Sequence, residues 1–229
     1  MGSVAGVIAG TGHSPVVDPN LLMWLDASYY SGSGTAWNNI LTGSSSFNTT
    51  LVGTPTYSTA NSGYLTLNGS TQYASVTGST TAINTCTMVM WIYSAAAQAS
   101  YTGLLYNRVI APNIMGMNYN ALTGNLGWTW SDDVTTYNYN TGLAIPNTTW
   151  TMLAVSVGTA STTFYVNGST NTQTYAAAAN TFTAITIGQD NLGSRLFNGR
   201  IGVVMLYNRT LSVAELNQNY NAYRGRYSV

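Results

Sequence analysis

The chain has 229 residues, of which 45% are hydrophobic and only 5% charged, against about 25% charged in typical soluble proteins. Six Arg and six acidic residues cancel to a net charge of zero and lysine is absent, so the cationic footprint of a nucleic-acid binder is missing. No apolar run approaches the roughly 18 residues of a membrane span, and the lone cysteine, Cys86, excludes an internal disulfide.

Polarity comes instead from Thr, Asn, Ser and Tyr, which favour strands and turns over helices. A chain this long buries roughly 70% of its unfolded surface on folding, so neither metal nor disulfide is needed for a core. So little charge gives weak mutual repulsion, which suits a protein destined for an assembly.

Residues 1–20 are rich in Gly, Pro and small side chains with no sustained period, and we expect an extended N-terminal arm. They lack the basic region that opens a signal peptide, so ordinary export is not expected. From Leu21 onward, short apolar runs alternate with Gly, Asn and Ser turns, the spacing of a β-sandwich. Strands are expected at 21–26, 63–67, 85–93, 103–107, 114–119, 126–130, 149–157, 162–166, 184–187 and 200–207. In 126–130, Leu126, Trp128 and Trp130 share a face. In 85–93 both faces are apolar, so this strand should be central and covered on both sides, and its need for cover points to a homo-oligomer. Cys86 lies in it and reads as a buried, inert thiol.

Two Asn-Gly pairs mark turns. Asn167-Gly168 predicts a type I′ hairpin, and Asn68-Gly69 is a weaker hairpin signal. Asp26, just after an apolar strand, reads as a turn acceptor. Ser212-Val213-Ala214-Glu215 is a capping box, which with Leu216, Tyr220 and Tyr223 predicts a helix over 213–223, stopped by Gly225.

An ordered set of segments carries a family resemblance. Thr186-Ile187-Gly188-Gln189-Asp190, Phe197-Asn198-Gly199-Arg200-Ile201-Gly202 and Leu206-Tyr207-Asn208-Arg209-Thr210-Leu211-Ser212 resemble the end of laminin-G-like, concanavalin A-like jelly-roll domains. Upstream, Trp150 to Val155 and Phe164 to Gly168, the Thr87–Ile92 strand, and Leu22 to Ala27 followed by Trp37 are similar to their earlier strands. The resemblance covers about residues 21–223. It implies an all-β fold of two antiparallel sheets packed face to face, with one short C-terminal helix. Relatives of this kind occur in adhesion proteins, carbohydrate-binding modules and virion structural proteins.

Reactive chemistry is scarce. Glycoside hydrolysis uses two facing carboxyl groups, but Glu215 is the sole glutamate, and the adjacent Asp132 and Asp133 point to opposite faces on a strand. The acids two residues apart on a strand, found in catalytic relatives, are missing. His13 is the only histidine, which with one cysteine rules out a zinc cluster. The expectation is therefore a protein that is not an enzyme, with no catalytic residues. If calcium binds, as in many relatives, Asp132, Asp133 and Asp190 are its candidate ligands; otherwise no cofactor is expected.

Sugars stack on aromatic rings and are read by amides and carboxylates, and Trp128, Trp130, Asp132, Tyr137 and Tyr139 concentrate those groups. They are the candidate glycan site. The leading expectation is a virion structural protein, a capsid decoration, cement or fibre component that contacts other virion proteins through residues 1–20 and adheres to host-surface glycans. A start at its own Met and the lack of an export signal motivate it. The alternative is a carbohydrate-binding, lectin-like module of a secreted or cell-surface protein. Neither involves nucleic acid or membrane.

Overall fold

β-Branched and aromatic residues fill the segments that become strands, because such side chains pack well on a pleated surface. The computed structural model describes residues 13–41, 46–77, 81–108, 114–131, 135–175, 178–190 and 195–229. Its strands begin with β1 (Leu21–Asp26), β2 (Ala36–Trp37), β3 (Asn48–Val52), β4 (Thr56–Ser58), β5 (Tyr64–Asn68) and β6 (Tyr73–Thr77). Next come β7 (Thr81–Ile83), β8 (Cys86–Ser94), β9 (Gly103–Arg108), β10 (Ile114–Tyr119), β11 (Asn125–Thr129) and β12 (Tyr139–Ala144). The last are β13 (Trp150–Val157), β14 (Ser161–Val166), β15 (Ser169–Thr174), β16 (Asn180–Phe182), β17 (Ile185–Ile187) and β18 (Asn198–Tyr207), before helix α1 (Val213–Tyr227).

Two eight-stranded antiparallel sheets result. One, the helix-side sheet, runs β15-β14-β13-β8-β18-β5-β4, with β1 also paired to β18. The other, the open sheet, runs β12-β11-β10-β9-β17-β6-β3-β2. Between them lies a core that includes Met88, Met90 and Ile92 of β8, Leu153 and Val155 of β13, and Met115 and Met117 of β10. The fold is the all-β sandwich with one C-terminal helix that the resemblance implied.

Strand β8 sits between β13 and β18, central as its two apolar faces require. Its second face, with Val89 and Trp91, joins another cluster containing Leu216, Tyr223 and Tyr227 of α1. Trp91 stacks on Tyr220 at 5.6 Å and on Tyr227 at 4.7 Å between ring centroids. The cover expected from a second copy thus comes from the chain's own helix, which removes that ground for a homo-oligomer. Cys86 is buried on the other face of β8, in the core between the sheets, and burial pushes its thiol pKa up.

The capping box forms: Glu215 N donates to Ser212 Oγ at 3.3 Å, and Ser212 N donates to Glu215 Oε2 at 2.8 Å. The helix does not stop at Gly225 but runs on to Tyr227, with Ser228 in the left-handed region at φ 58°. Gly202 of β18 makes that extension fit, since a Cβ there would lie 1.8 Å from the Tyr227 hydroxyl. Asn167 and Gly168, at φ 46° and 94°, form the expected two-residue hairpin between β14 and β15. The Asn68-Gly69 turn differs. It carries the chain from β5 in one sheet to β6 in the other, so it is a crossing and not a hairpin.

Asp26 does accept from Ser28 N at 2.8 Å, but it is also ion-paired with Arg226. Of the expected N-terminal arm, only residues 13–20 are described, and there it is seated on its own domain. Val16 N donates to Asn219 Oδ1 at 2.7 Å, Tyr207 Oη donates to Val16 O at 2.8 Å, and Gln218 Nε2 donates to Ser14 O at 3.1 Å. Asp18 pairs with Arg209 at 2.6 Å, and the same guanidinium reaches Glu215. Residues 1–12 lie outside the described residues.

Candidate functional site

Of the five residues expected to hold a glycan, four are described, and of these Tyr137 alone is well exposed. Trp128 and Trp130 are wholly buried between the sheets. Trp128 meets Phe164, Tyr175 and Tyr139 edge-on at 5.5, 6.0 and 6.4 Å, and Trp130 Nε1 donates to Ala178 O at 2.8 Å. Tyr139 pairs with Trp128 across the β11–β12 ladder and stacks on Phe164 at 5.6 Å. The shared face recognised in 126–130 is the core face, so these rings are packing and not a sugar platform. Asp132 and Asp133 lie outside the described residues. Tyr137 is 41% exposed.

Around Tyr137 three turns of the open sheet come together. Thr136 Oγ1 donates to Trp130 O at 2.6 Å and Asn138 N donates to Thr129 Oγ1 at 3.0 Å, which pins the Tyr137 turn to the end of β11. Asn120 Nδ2 donates to Asn138 O at 2.8 Å, while its Oδ1 accepts from Leu122 N at 3.1 Å and so shapes the β10–β11 turn. Tyr101, at φ 63°, donates its backbone N–H to Tyr119 O at 3.1 Å, bringing a third turn alongside. As a result the Tyr101 and Tyr137 rings lie 6.3 Å apart at 42°. Leu122, in the neighbouring turn, is 93% exposed.

A charged cluster anchors this aromatic pair. The Arg195 guanidinium sits 4.4 Å over the Tyr101 ring and donates to Asp190 Oδ2 at 2.7 Å. Asp190 is fully buried, and Arg108 donates to its other oxygen through Nε and to Oδ2 through Nη2 at 3.2 Å. Burial opposes the Arg108 charge, yet its bonds to Asp190 outweigh that and raise its pKa. The same guanidinium lies 5.5 Å over Tyr106, whose hydroxyl is pushed up first by burial and then by Asp190. On the outer face of the sheet, Asn118 faces Gly127 across the β10–β11 ladder, and among the described residues its buried Oδ1 has no hydrogen-bond partner. A Cβ on Gly127 would come within 2.3 Å of that oxygen, so the glycine keeps room for it.

Asp190 therefore faces two guanidinium groups, and their positive charge opposes a calcium ion there. Among the described residues no group of three His, Cys, Asp or Glu converges. Every described carboxylate is held by arginine: Asp18 and Glu215 by Arg209, Asp26 by Arg226, and Asp190 by Arg108 and Arg195. Glu215 has its pKa lowered to about 2, chiefly by the hydrogen bond from Arg209, which is opposite to what a general acid needs.

Tyr101, Arg195 and the Arg108–Asp190 pair escaped sequence reasoning. Arg108 and Asp190 are 82 residues apart and carry no local motif. The one available signal was the Ser-Tyr-Thr-Gly turn around Tyr101, which places a large ring in a loop.

A laminin-G-type family model, described as Concanavalin A-like lectin/glucanases superfamily, matches residues 68–217. Among solved structures, domain 4 of AbnA, a GH43 extracellular arabinanase from Geobacillus stearothermophilus solved in complex with arabinotriose, is similar at a TM-score of 0.69 and 18% identity. That match covers 89% of this chain and 98% of the other. The binding domain of Paraclostridial Mosquitocidal Protein 1 matches at a TM-score of 0.67 and 17% identity, over 89% of this chain and 52% of that one. Trypanosoma rangeli sialidase in complex with sialic acid matches at 0.65 and 14% identity, but the chain spans only 36% of it. These likenesses speak to the fold alone. No curated protein matches the sequence. Since the family model spans well over half of its length, the chain belongs to the concanavalin A-like lectin/glucanases superfamily.

Proposed function

We propose that the chain is a non-catalytic carbohydrate-binding domain, and that the Tyr101–Tyr137 surface of the open sheet is its glycan site. One observation carries the reading: two tyrosine rings stand together at the surface, fixed from below by an Arg–Asp–Arg cluster whose carboxylate is buried. Rings held in this way lose little entropy when a sugar face stacks on them, which is the main advantage of a preorganised site. Arg195 supplies directional donors beside the rings, and Asn120 and Asn138 supply the amide-rich turns. Superfamily membership and the likeness to a domain solved with arabinotriose support carbohydrate binding over particle decoration. In this reading the domain works where polysaccharide is met, outside the cell or at its surface.

The carboxylates support the non-catalytic part of this reading. Each described one is neutralised by arginine, whereas hydrolysis needs one carboxyl protonated and a second free. The test is binding of the purified protein to a panel of arabinans, xylans and other neutral polysaccharides, with and without a calcium chelator. Binding that Tyr101→Ala reduces tenfold or more, with no release of reducing ends, is the expected result. Turnover of any panel member, or binding indifferent to that substitution, overturns the proposal.

A further inference from the structure

Helix α1 covers only part of the outer face of its sheet. Beyond its end, one row of side chains runs in direct register across five strands: Trp150, Tyr93, Arg200, Thr66 and Thr56. Strand spacing makes that row about 19 Å long. Leu65, Leu67, Ile92 and Ile201, the alternate residues on three of these strands, point into the inter-sheet core, so the row itself faces outward.

Arg200 is the unusual member. Its guanidinium carbon lies 4.5 Å from the Tyr93 ring centroid and 4.9 Å from that of Tyr64, the next outward residue on β5. Both tyrosines stand edge-on to Trp150, at 5.8 and 5.9 Å, and Trp150 is backed by Tyr227 of the helix, stacked at 4.2 Å. The rings are thus held from behind while Tyr64, Tyr93 and Arg200 remain half-exposed. Arg108, Arg195, Arg209 and Arg226 all bind carboxylates. Arg200 binds none among the described residues, and its row neighbours are neutral.

A half-buried guanidinium held between two aromatic rings keeps its planar fork of donors in a set orientation, and a carboxylate is the group that fits such a fork with two parallel hydrogen bonds. The adjacent rings offer a stacking surface, and the threonines offer hydroxyls along the same line. We infer that this row is a second ligand site, which takes a carboxylate-bearing sugar such as a uronic acid unit, with its carboxylate on Arg200 and its ring against Tyr64 and Tyr93. The sugar part of this assignment rests on the carbohydrate-binding reading; the carboxylate part rests on Arg200.

Calorimetric titration of the full chain with a galacturonic acid trisaccharide, its methyl ester and acetate tests the inference. The acid should bind, the neutral ester should bind at least tenfold more weakly, and acetate should not compete at matched concentration. Arg200→Gln should cost the acid tenfold or more, and Arg200→Lys, which keeps the charge but not the fork, should recover only part of that. Tyr137→Ala, on the opposite sheet, should leave uronate binding unchanged. Equal binding of acid and ester, undiminished binding to Arg200→Gln, or no uronate binding by the wild type each overturns the inference, and effective competition by acetate overturns its sugar part. Uronate binding that persists while every neutral glycan fails would count against the Tyr101–Tyr137 site and not against this one.

Discussion

Arg226, near the end of α1, donates from Nη1 to both carboxylate oxygens of Asp26, at 2.7 and 2.9 Å, across 200 residues of sequence. The pair is 5% and 3% exposed, and its remaining valences are filled: Arg226 Nε and Nη2 donate to Asn61 O and Gly63 O, both at 2.7 Å, and Asp26 accepts from Ser28. It ties the helix to the first strand. It also explains why α1 continues past Gly225, because a glycine costs a helix only about 1 kcal/mol.

Removing one partner of such a pair strands a buried charge. Arg226→Ala should cost about 3–5 kcal/mol, or roughly 10 °C in Tm for a domain of this size. Thermal melts of Arg226→Ala, Asp26→Asn and the double variant check this, and the double should be little worse than either single. A Tm for Arg226→Ala within a degree of wild type would show that the pair holds nothing together.

Gly202 and Tyr227 offer a second stability test. A Cβ at 202 would overlap the Tyr227 hydroxyl, so Gly202→Ala should destabilise by about 1–3 kcal/mol. Among the described residues that hydroxyl has no hydrogen-bond partner, so Tyr227→Phe alone should be nearly silent. Combined with Gly202→Ala, it should restore part of the loss in urea unfolding. Additive losses would mean that the helix end does not seat on β18 as described.

Acid should loosen the start of the same helix. With its folded pKa near 2, below the ordinary 4.5, Glu215 contributes stability that is complete above pH 4.5 and disappears as the pH falls toward 2. Glu215→Gln should therefore be less stable than wild type by about 1 kcal/mol at pH 6, the usual worth of a cap, and the difference should close by pH 2. Urea midpoints across that range decide it, and a gap that widens in acid would reverse the sign.

Tyr137 and Trp128 should separate binding from folding. Tyr137→Ala removes an exposed ring, so stability should stay within about 0.5 kcal/mol while glycan affinity falls by about tenfold. Trp128→Ala empties a core position and should cost about 3–5 kcal/mol of stability. Parallel melts and titrations measure both, and loss of affinity in a fully stable Trp128→Ala protein would return the site to the buried indoles.

The residues most legible in the sequence were those whose partners repeat along a strand or sit within a turn. Met88, Met90 and Ile92 alternate as core residues, Asn167-Gly168 fits the positive φ of its hairpin, and Ser212 with Glu215 marks the helix start. Strands such as β12 and β15 were missed because they lie at sheet edges and carry Asn, Thr and Gln with little apolar alternation. Trp128 and Trp130 illustrate a deeper limit. Period-two spacing reveals which residues share a face, but only the second sheet determines whether that face meets water. Tyr101, Arg195, Asp190 and Arg108 converge through four separate segments, and nothing local announces it.

Amide chemical-shift mapping with a neutral arabino- or xylo-oligosaccharide that the panel identifies tests the central claim most directly. The account predicts that the largest shifts fall at Tyr101, Asn120 to Leu122, Tyr137, Asn138 and Arg195, saturate with one affinity, and need about tenfold more ligand to saturate in Tyr137→Ala. Shifts that leave the Tyr101–Tyr137 surface untouched, or a ligand cleaved during the titration, would contradict it.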